Sequence, residues 1–129
     1  MIEEILNSFS LSLDRLSEIL QAEATIANRD SAIKRFEFTV GLAWKNIQKF
    51  LKDQKLVCRS PKECLKEAFK FGLIEDDPRW LQMLEDRNIT VHTYDENTAK
   101  AVSIRLPNYI PLLQKLYDSL RAEVKKEER

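Results

Sequence analysis

The sequence predicts an all-α protein: an antiparallel up-and-down four-helix bundle with additional short helices, in a single domain over residues 1–129. Three observations predict this. A chain of 129 residues is long enough for one domain with a buried core. It contains only two glycines and four prolines, whereas a β-sandwich or barrel needs many more turn residues. Apolar residues recur at helical spacing, and no strand-like alternation extends beyond a few residues.

Composition and charge limit the possible classes of function. Hydrophobic residues make up 43% of the chain and charged residues 33%, which is typical of a folded globular protein. The 21 basic and 21 acidic residues cancel, so any contact with RNA would have to use a local patch. No apolar run is long enough to predict a membrane span, and the start MIEEILNSF is unlike a signal peptide. We therefore expect a cytoplasmic protein without a membrane partner.

The residues that commonly bind metals are scarce. The chain has two cysteines, Cys58 and Cys64, and one histidine, His92, which do not easily build a zinc site. We therefore expect no metal and no cofactor. Because no secretion signal is present, the C-x5-C pair is expected to stay reduced and to have a structural role.

The first two helices have the clearest amphipathic patterns. The first is predicted over residues 2 to 21, and the second from an N-cap at Asp30 to about residue 53. Phe38 and Leu42 lie nearly opposite the main apolar stripe of the second helix. We therefore expect this helix to bury two faces, either as the central helix of the bundle or against a second subunit.

Helix-start signals place the next two helices. The segment Ser60-Pro61-Lys62-Glu63 combines an N-cap, a first-turn proline and a capping box, and Gly72 suits the left-handed position that ends this helix. Asp77-Pro78 starts the following helix in the same manner, and that helix is expected to fray near Arg87.

A second capping box, Thr93-x-x-Glu96, predicts a further helix over about 95 to 105. Pro107 is expected to interrupt it, because a proline removes a helical hydrogen bond and clashes with the preceding turn. A last helix is predicted over about 108 to 126.

The stretch RNITVHTY, residues 87 to 94, holds the only histidine of the chain. In a continuous helix, Arg87 and His92 would point roughly 140° apart and would not serve one small site. The break predicted before residue 93 would let His92 turn back beside Arg87 or meet a partner chain.

These two side chains suit RNA cleavage without a metal. Histidine exchanges protons near neutral pH, and the arginine fork can stabilise charge that develops on a phosphate. One histidine does not easily act as both base and acid, but two copies in a dimer can divide these roles. A histidine near a helix end is also often a capping or packing residue, so a structural role stays open.

The same stretch has the form R-x4-H-x-Y, which resembles the signature of the HEPN superfamily and, within it, the HepT type. RDSAIKRFEFTVGLAWK is similar to the long second helix of that family. SPKECLKEAFKFGLIEDDPRWLQMLEDRNITVHTYDE is similar to the block that contains the motif. Together these stretches span most of residues 29 to 96, whereas the first and last helices match only as helices.

The resemblance implies a homodimeric bundle in which Arg87 and His92 are the ribonuclease pair at a cleft between subunits, assisted by Asn88. It implies that a partner minimal nucleotidyltransferase transfers AMP to Tyr94 and so silences the ribonuclease, as antitoxin and toxin. Tyr94 is also explained as an aromatic residue that packs just before a helix, and without the resemblance the residues favour that structural role.

The residues leave three hypotheses open. The first is this ribonuclease toxin, and the second is a non-catalytic substrate-binding subunit of a two-component nucleotidyltransferase. The third is a structural helical dimer with a fortuitous motif. The chain is not itself the nucleotidyltransferase, because it lacks the Gly-Ser loop and the Asp-x-Asp pair that such an enzyme needs.

Overall fold

The computed structural model describes residues 2–92 and 95–127, and within these residues the chain forms five α-helices. They are α1 (Ile2–Leu20), α2 (Ile26–Asp53), α3 (Pro61–Phe71), α4 (Arg79–His92) and α5 (Glu96–Glu127). In the described part of the chain, no helix is long and apolar enough to cross a membrane.

The first two helices run in opposite directions. The hydroxyl groups of Ser12 in α1 and Thr39 in α2 share a hydrogen bond of 2.6 Å. Nearer the start of α1, the Ile5 carbonyl accepts a hydrogen bond from the side-chain amide of Asn46, nearer the end of α2. Helices α1 and α2 are therefore antiparallel.

Helices α2 and α5, by contrast, run in the same direction. Near their starts, Arg29 donates to the Glu96 carboxylate at 2.8 Å. Further along both helices, the rings of Phe36 and Tyr109 stack with their centroids 5.7 Å apart. A parallel pair is expected for alternate members of an up-and-down bundle.

Helix α4 runs against α5, because Arg79 at its start contacts Asn108 whereas Asp86 further along contacts Arg105, which lies earlier in α5. Helices α1, α2, α4 and α5 thus alternate in direction, and α3 lies within the connection between α2 and α4. The predicted all-α, four-helix architecture is confirmed.

Helix α2 is the central helix, since it contacts each of the other four. The largest side chains at the centre of the core include Phe9 and Leu16 from α1, Phe36 and Phe50 from α2, Met83 from α4, and Tyr109 and Leu113 from α5. Of the two explanations expected for the second apolar face of α2, the central position is confirmed, but within one copy Phe38 on that face is 60% exposed. Its burial against a second subunit stays a prediction. Leu42 on the same face is half-buried.

The start of α2 lies earlier than predicted. Thr25, and not Asp30, is the N-cap, and its hydroxyl accepts a hydrogen bond from the backbone N–H of Asn28. Both residue types can cap a helix. The earlier start adds a turn of backbone hydrogen bonds and carries Arg29 to its contact with Glu96.

The predicted ends of α3 are confirmed. The Ser60 hydroxyl accepts a hydrogen bond from the N–H of Glu63, and Gly72 adopts the left-handed conformation with φ of 96°. The Glu63 carboxylate reaches back to the N–H of Arg59, one residue before the cap.

The prediction that α4 frays near Arg87 is wrong, because the helix continues to His92. Its last turns are held by Thr90, whose side chain is buried and whose hydroxyl donates to the carbonyl of Arg87.

The prediction that Pro107 separates two helices is also wrong, because α5 runs without a break through Pro107 and Pro111. A proline inside a helix costs about 3 kcal/mol. Burial of each large apolar side chain contributes about 1.5–3 kcal/mol, and α5 buries Leu106, Tyr109 and Leu113 around the prolines. Packing therefore outweighs the local penalty.

The cap of α5 is Asp95, whose carboxylate accepts hydrogen bonds from both the backbone N–H and the hydroxyl of Thr98. These bonds lower the pKa of Asp95, the backbone bond being the larger cause. The predicted capping residue Thr93 lies outside the described residues.

The expectation that the cysteines stay reduced is wrong for this structure, in which Cys58 and Cys64 form a disulfide. The cap at Ser60 turns the chain into α3, and this brings the Cα atoms of the two cysteines to 5.0 Å. Both side chains are buried against the core.

Candidate active site on helix α4

Helix α4 has one side that packs in the core and one side that faces solvent. Trp80, Met83, Asp86 and Thr90 lie on the buried side, spaced three or four residues apart as helical geometry requires. This side fixes the rotation of α4 about its axis. The direction in which Arg87, Asn88 and His92 point follows from it.

The centre of the buried side is a charged cluster. Asp86 is 2% exposed, and its carboxylate accepts hydrogen bonds from Arg105 Nε at 2.9 Å and Nη2 at 2.6 Å. The hydroxyl of Tyr109 donates to the same carboxylate. A buried charge is tolerated only when it is paired and hydrogen-bonded in this way.

The cluster shifts the pKa values of Tyr109 and Arg105. Burial, and then the hydrogen bond to Asp86, raises the pKa of Tyr109 above its ordinary value. The hydrogen bond to Asp86 likewise raises the pKa of Arg105. Arg105 and Tyr109 lie four residues apart on α5, so the cluster joins α4 to α5 at a fixed register.

Arg87, the next residue along α4, is half-buried and has few partners. Its Nη1 group makes one long contact of 3.5 Å with the side-chain oxygen of Asn88. Its Nε group is shielded from solvent, yet no described residue accepts a hydrogen bond from it. The indole N–H of Trp44 on α2 is likewise shielded from solvent and has no described acceptor. Both residues line two cavities that border α2.

His92 is exposed at the C-terminal end of α4. Because the helix is continuous, the side chains of Arg87 and His92 leave it roughly 140° apart, with Asn88 between them. The structure therefore brings Arg87 and Asn88 together, and it does not bring His92 to Arg87 within one copy of the chain. The expectation that His92 turns back beside Arg87 within one copy is therefore wrong, and the alternative, that His92 meets a partner chain, stays a prediction.

Two cavities flank Arg87, and both are also lined by Gly41 and Trp44 of α2. The first, of about 510 Å³, lies between α2, the start of α3 and α4, and Asn88 lines it. The second, of about 610 Å³, lies between α1 and α2. Gly41 lines both cavities, and a Cβ atom added to it would meet no side chain and no other helix within 4 Å, so no neighbouring group fills the space at this position.

We name the second cavity the cationic groove. Its charged and aromatic lining consists of Arg15, Arg35, Glu37, Phe38, Trp44, Lys45 and Arg87. Four of these residues are cations and one is an anion, although the whole chain has no net charge.

The remaining predicted site residue, Tyr94, lies outside the described residues. Within the described residues, no three His, Cys, Asp or Glu side chains lie close enough together to hold a metal ion.

Sequence reasoning missed two groups of residues. The Asp86–Arg105–Tyr109 cluster joins residues about 20 positions apart, and its only sequence signal is a polar pair spaced four residues apart on α5. The cations of the groove come from α1 and α2, and only the way these two helices pack brings them together with Arg87 on α4.

The chain is similar to proteins of known family. The family described as nucleotidyltransferase substrate binding protein like matches residues 4–122. A probable ribonuclease HepT from Haemophilus influenzae is 34% identical over 95 residues, which is 70% of this chain. That match spans 65% of the length of the relative.

Two solved structures share the fold. A protein from Thermus thermophilus has a TM-score of 0.81 and 37% sequence identity, covering 88% of this chain and 98% of that one. A Haemophilus influenzae protein, solved as the fold of a substrate-binding domain of a nucleotidyltransferase, has a TM-score of 0.67 and 27% identity, covering 93% and 96%. The chain thus belongs to the HepT-like family of nucleotidyltransferase substrate-binding proteins.

Proposed function

We propose that this chain is a metal-independent endoribonuclease, the toxin of a toxin–antitoxin pair whose antitoxin is a minimal nucleotidyltransferase. The observation that carries the proposal is the arrangement on α4. A buried, fully paired Asp86 fixes the helix, and the adjacent Arg87 has no described carboxylate partner. Asn88 and His92 continue from Arg87 around the exposed side of the same helix.

The active form is a homodimer, because one copy does not bring Arg87 and His92 to the same phosphate. In a twofold dimer, each copy presents the same surface to the other, so Arg87 of one copy can face His92 of its partner. Exposed apolar side chains near His92 support such pairing. Ile89 is 43% exposed and Val91 is 47% exposed, and a second copy would remove both from water.

The reaction is a transesterification within the RNA. The ribose 2′-oxygen attacks the adjacent phosphorus, and His92 accepts the 2′-hydroxyl proton. The bond to the 5′-oxygen of the next nucleotide breaks, and that oxygen leaves with a proton from the histidine of the other copy. Arg87 stabilises the negative charge on the phosphorane oxygens, and Asn88 holds the guanidinium through the contact between their side chains.

The relatives support both halves of this proposal. One is named a probable ribonuclease, and another was solved as a substrate-binding domain of a nucleotidyltransferase. A chain that cleaves RNA and binds a nucleotidyltransferase accommodates both descriptions.

Control of the ribonuclease is proposed at Tyr94. Its phenol oxygen attacks the α-phosphorus of ATP in the partner enzyme, a new O–P bond forms, pyrophosphate leaves, and the phenol proton passes to solvent. The bound AMP adds a negative phosphate and an adenosine two residues from His92. Charge pairing would then occupy Arg87, and bulk would exclude RNA.

The ribonuclease proposal is tested by incubating purified protein with tRNA and mRNA in the presence of a chelator. Wild-type protein is compared with His92→Ala and with Arg87→Ala. We expect cleavage by the wild type, with 2′,3′-cyclic phosphate ends, and a loss of roughly 100- to 10,000-fold in rate for His92→Ala. Equal cleavage by the wild type and His92→Ala would refute the proposal.

A second candidate function is a non-catalytic substrate-binding subunit, favoured by the family description and by the 27% identical structure. In that case the α4 surface binds a nucleotide or phosphate and presents Tyr94 to the nucleotidyltransferase. Mass spectrometry after mixing with the partner and ATP separates the two. A mass gain of one or more AMP units on Tyr94 supports control of a toxin, whereas a stable complex without any adduct supports the binding subunit.

A further inference from the structure

The cationic groove holds positive charge that the fold itself does not use. No described carboxylate lies within ion-pairing distance of its four cations, Arg15, Arg35, Lys45 and Arg87. Arg15 and Lys45 are exposed, whereas Arg35 and Arg87 are half-buried. With four cations and the single anion Glu37 in its lining, the groove has a net positive charge that favours the binding of an anion.

Most arginines elsewhere in the described chain have carboxylate partners. Of the five outside the groove, Arg59 is exposed and forms no ion pair with a described residue, and four form ion pairs with carboxylates, namely Arg29, Arg79, Arg105 and Arg121. Each of these pairs joins neighbouring segments of the fold or caps a helix. Unlike Arg59, the groove residues Arg35 and Arg87 are half-buried and still have no described carboxylate partner, which supports a ligand from outside the chain.

The groove also offers an aromatic surface. Phe38 lines it and is 60% exposed, an unusual position for a large apolar ring in the middle of a long helix. The amine of Lys34 lies over this ring, 5.2 Å from its centre, and adds a further positive charge at the groove. Cations that follow a backbone, together with exposed rings on which bases stack, are the usual features of a site for single-stranded nucleic acid.

The groove leads directly to the candidate active site. Arg87, Gly41 and Trp44 line both the groove and the cavity that Asn88 lines. A strand lying along α1 and α2 would therefore reach the guanidinium that is proposed to bind the reacting phosphate. Double-stranded RNA is a poorer fit, because its bases are already stacked on each other and not available to Phe38.

We infer that the cationic groove binds the single-stranded RNA that flanks the cleavage point, with Arg15, Arg35 and Lys45 on its phosphates and a base stacked on Phe38. The inference rests on the proposed ribonuclease function for the identity of its ligand. It adds a binding surface on α1 and α2 to the reacting residues on α4. It also explains how a chain without net charge holds RNA.

The test uses a fluorescein-labelled, fully 2′-O-methylated RNA 12-mer without secondary structure. The methyl groups remove the attacking hydroxyl, so binding to the full-length protein is measured by anisotropy without cleavage. We expect the double variant Arg15→Gln/Arg35→Gln to bind at least tenfold more weakly. The slope of log Kd against log salt should fall by about 0.7 for each phosphate that the variant no longer neutralises. Phe38→Ala should weaken binding roughly tenfold, with an unchanged salt slope.

Matched controls lie on α3, away from the groove. Lys66→Gln removes an exposed cation, and Phe69→Ala removes an exposed ring of the same kind. Both should bind RNA as the wild type does. Thermal unfolding of every variant checks that the fold is intact, which is expected because Arg15 and Phe38 are exposed.

The outcomes separate this inference from the proposed function. Weaker binding by the groove variants alone supports the inference even if the wild type cleaves no RNA. Groove variants that bind like the wild type overturn it, even if His92→Ala abolishes cleavage. A wild type that fails to bind the 12-mer also overturns it. So does a result in which the groove variants lose dimerisation, by sedimentation, because the occupant of the groove is then a second copy.

Discussion

Two consecutive residues of α4, Asp86 and Arg87, have opposite surroundings. Asp86 is buried, and its carboxylate is held by Arg105 and Tyr109. Arg87 borders two cavities and lacks a described carboxylate partner. The first residue uses its charge to join α4 to α5, whereas the charge of the second is not paired within the described part of the fold and is available to the proposed phosphate ligand.

Under the proposed function, the difference shows how one turn of a helix can carry both a structural residue and a reactive one. A charge that is saturated by protein partners stabilises the fold and cannot bind substrate. A charge that is left unsaturated contributes little to the fold but can bind phosphate. The comparison predicts that substitutions on the two sides of α4 separate stability from activity.

The largest effect on stability is expected for Asp86→Ala. The change leaves the guanidinium of Arg105 and the hydroxyl of Tyr109 without their acceptor at the α4–α5 contact. Removal of one partner of a buried ion pair costs about 3–5 kcal/mol in the free energy of unfolding, and because Arg105 is partly exposed we expect the lower end of this range. Urea denaturation followed by circular dichroism measures it. The neighbouring change Asn88→Ala is the control and should stay within about 0.5 kcal/mol of the wild type. Similar losses for both variants would contradict the comparison.

A smaller loss is expected for Tyr109→Phe, which keeps the ring stacked on Phe36 and removes only the hydroxyl. A hydrogen bond to a charged group contributes about 1.5–3 kcal/mol. The same denaturation experiment gives the value. Tyr117→Phe on the same helix, where the hydroxyl bonds Arg121 at the surface, should lose less. A larger loss at Tyr117 would contradict the assignment.

The cluster also predicts a loss of stability in alkali. Because burial raises the pKa of Tyr109, the folded protein resists forming the phenolate more than the unfolded chain does. Its contribution to stability is complete below the unfolded pKa of about 10 and declines as the pH rises above it. Free energies of unfolding measured at successive pH values should show this decline in the wild type. Tyr109→Phe should show a weaker decline, and equal slopes would argue against the cluster.

The smallest effect on stability is expected for His92→Ala, because this side chain is exposed at the end of α4. The free energy of unfolding should change by no more than about 0.5 kcal/mol. The change is measured from the midpoints of urea denaturation of the wild type and the variant. A loss above about 2 kcal/mol would show that His92 is a structural residue, and the separation of the two sides of α4 would fail.

Local signals in the sequence were sufficient for much of the fold. The apolar spacing of α1 and α2 and the caps at Ser60 and Gly72 act within a few residues, so the sequence predicts them correctly. The expected break at Pro107 and the expected fraying at Arg87 are wrong, because tertiary packing keeps both helices continuous at these positions. The burial of Tyr109 and Thr90 outweighs the local preferences of the residues around them.

In the candidate site too, the sequence predicts what lies close together in the chain and does not predict what depends on packing. Arg87, Asn88 and His92 could be predicted as site residues because they lie within six residues and match a family motif, and their roles stay a prediction. The direction in which they point was not predictable, since it depends on the buried contact between Asp86 and Arg105. Nor was the cationic groove, because Arg15 and Lys45 are 30 residues apart in sequence and meet only through the packing of α1 against α2.

The central claim, that the histidines of both copies act on one phosphate, is tested most directly with a mixed dimer. Wild-type chain and the His92→Ala variant, each with its own affinity tag, are coexpressed and purified through both tags. If one His92 is the base and the other is the acid, the mixed dimer lacks one of the two roles. Its cleavage rate should then fall far below half that of the wild-type dimer, toward the rate of the His92→Ala homodimer. A mixed dimer that cleaves RNA at about half the wild-type rate would show that each copy acts alone and would contradict the account.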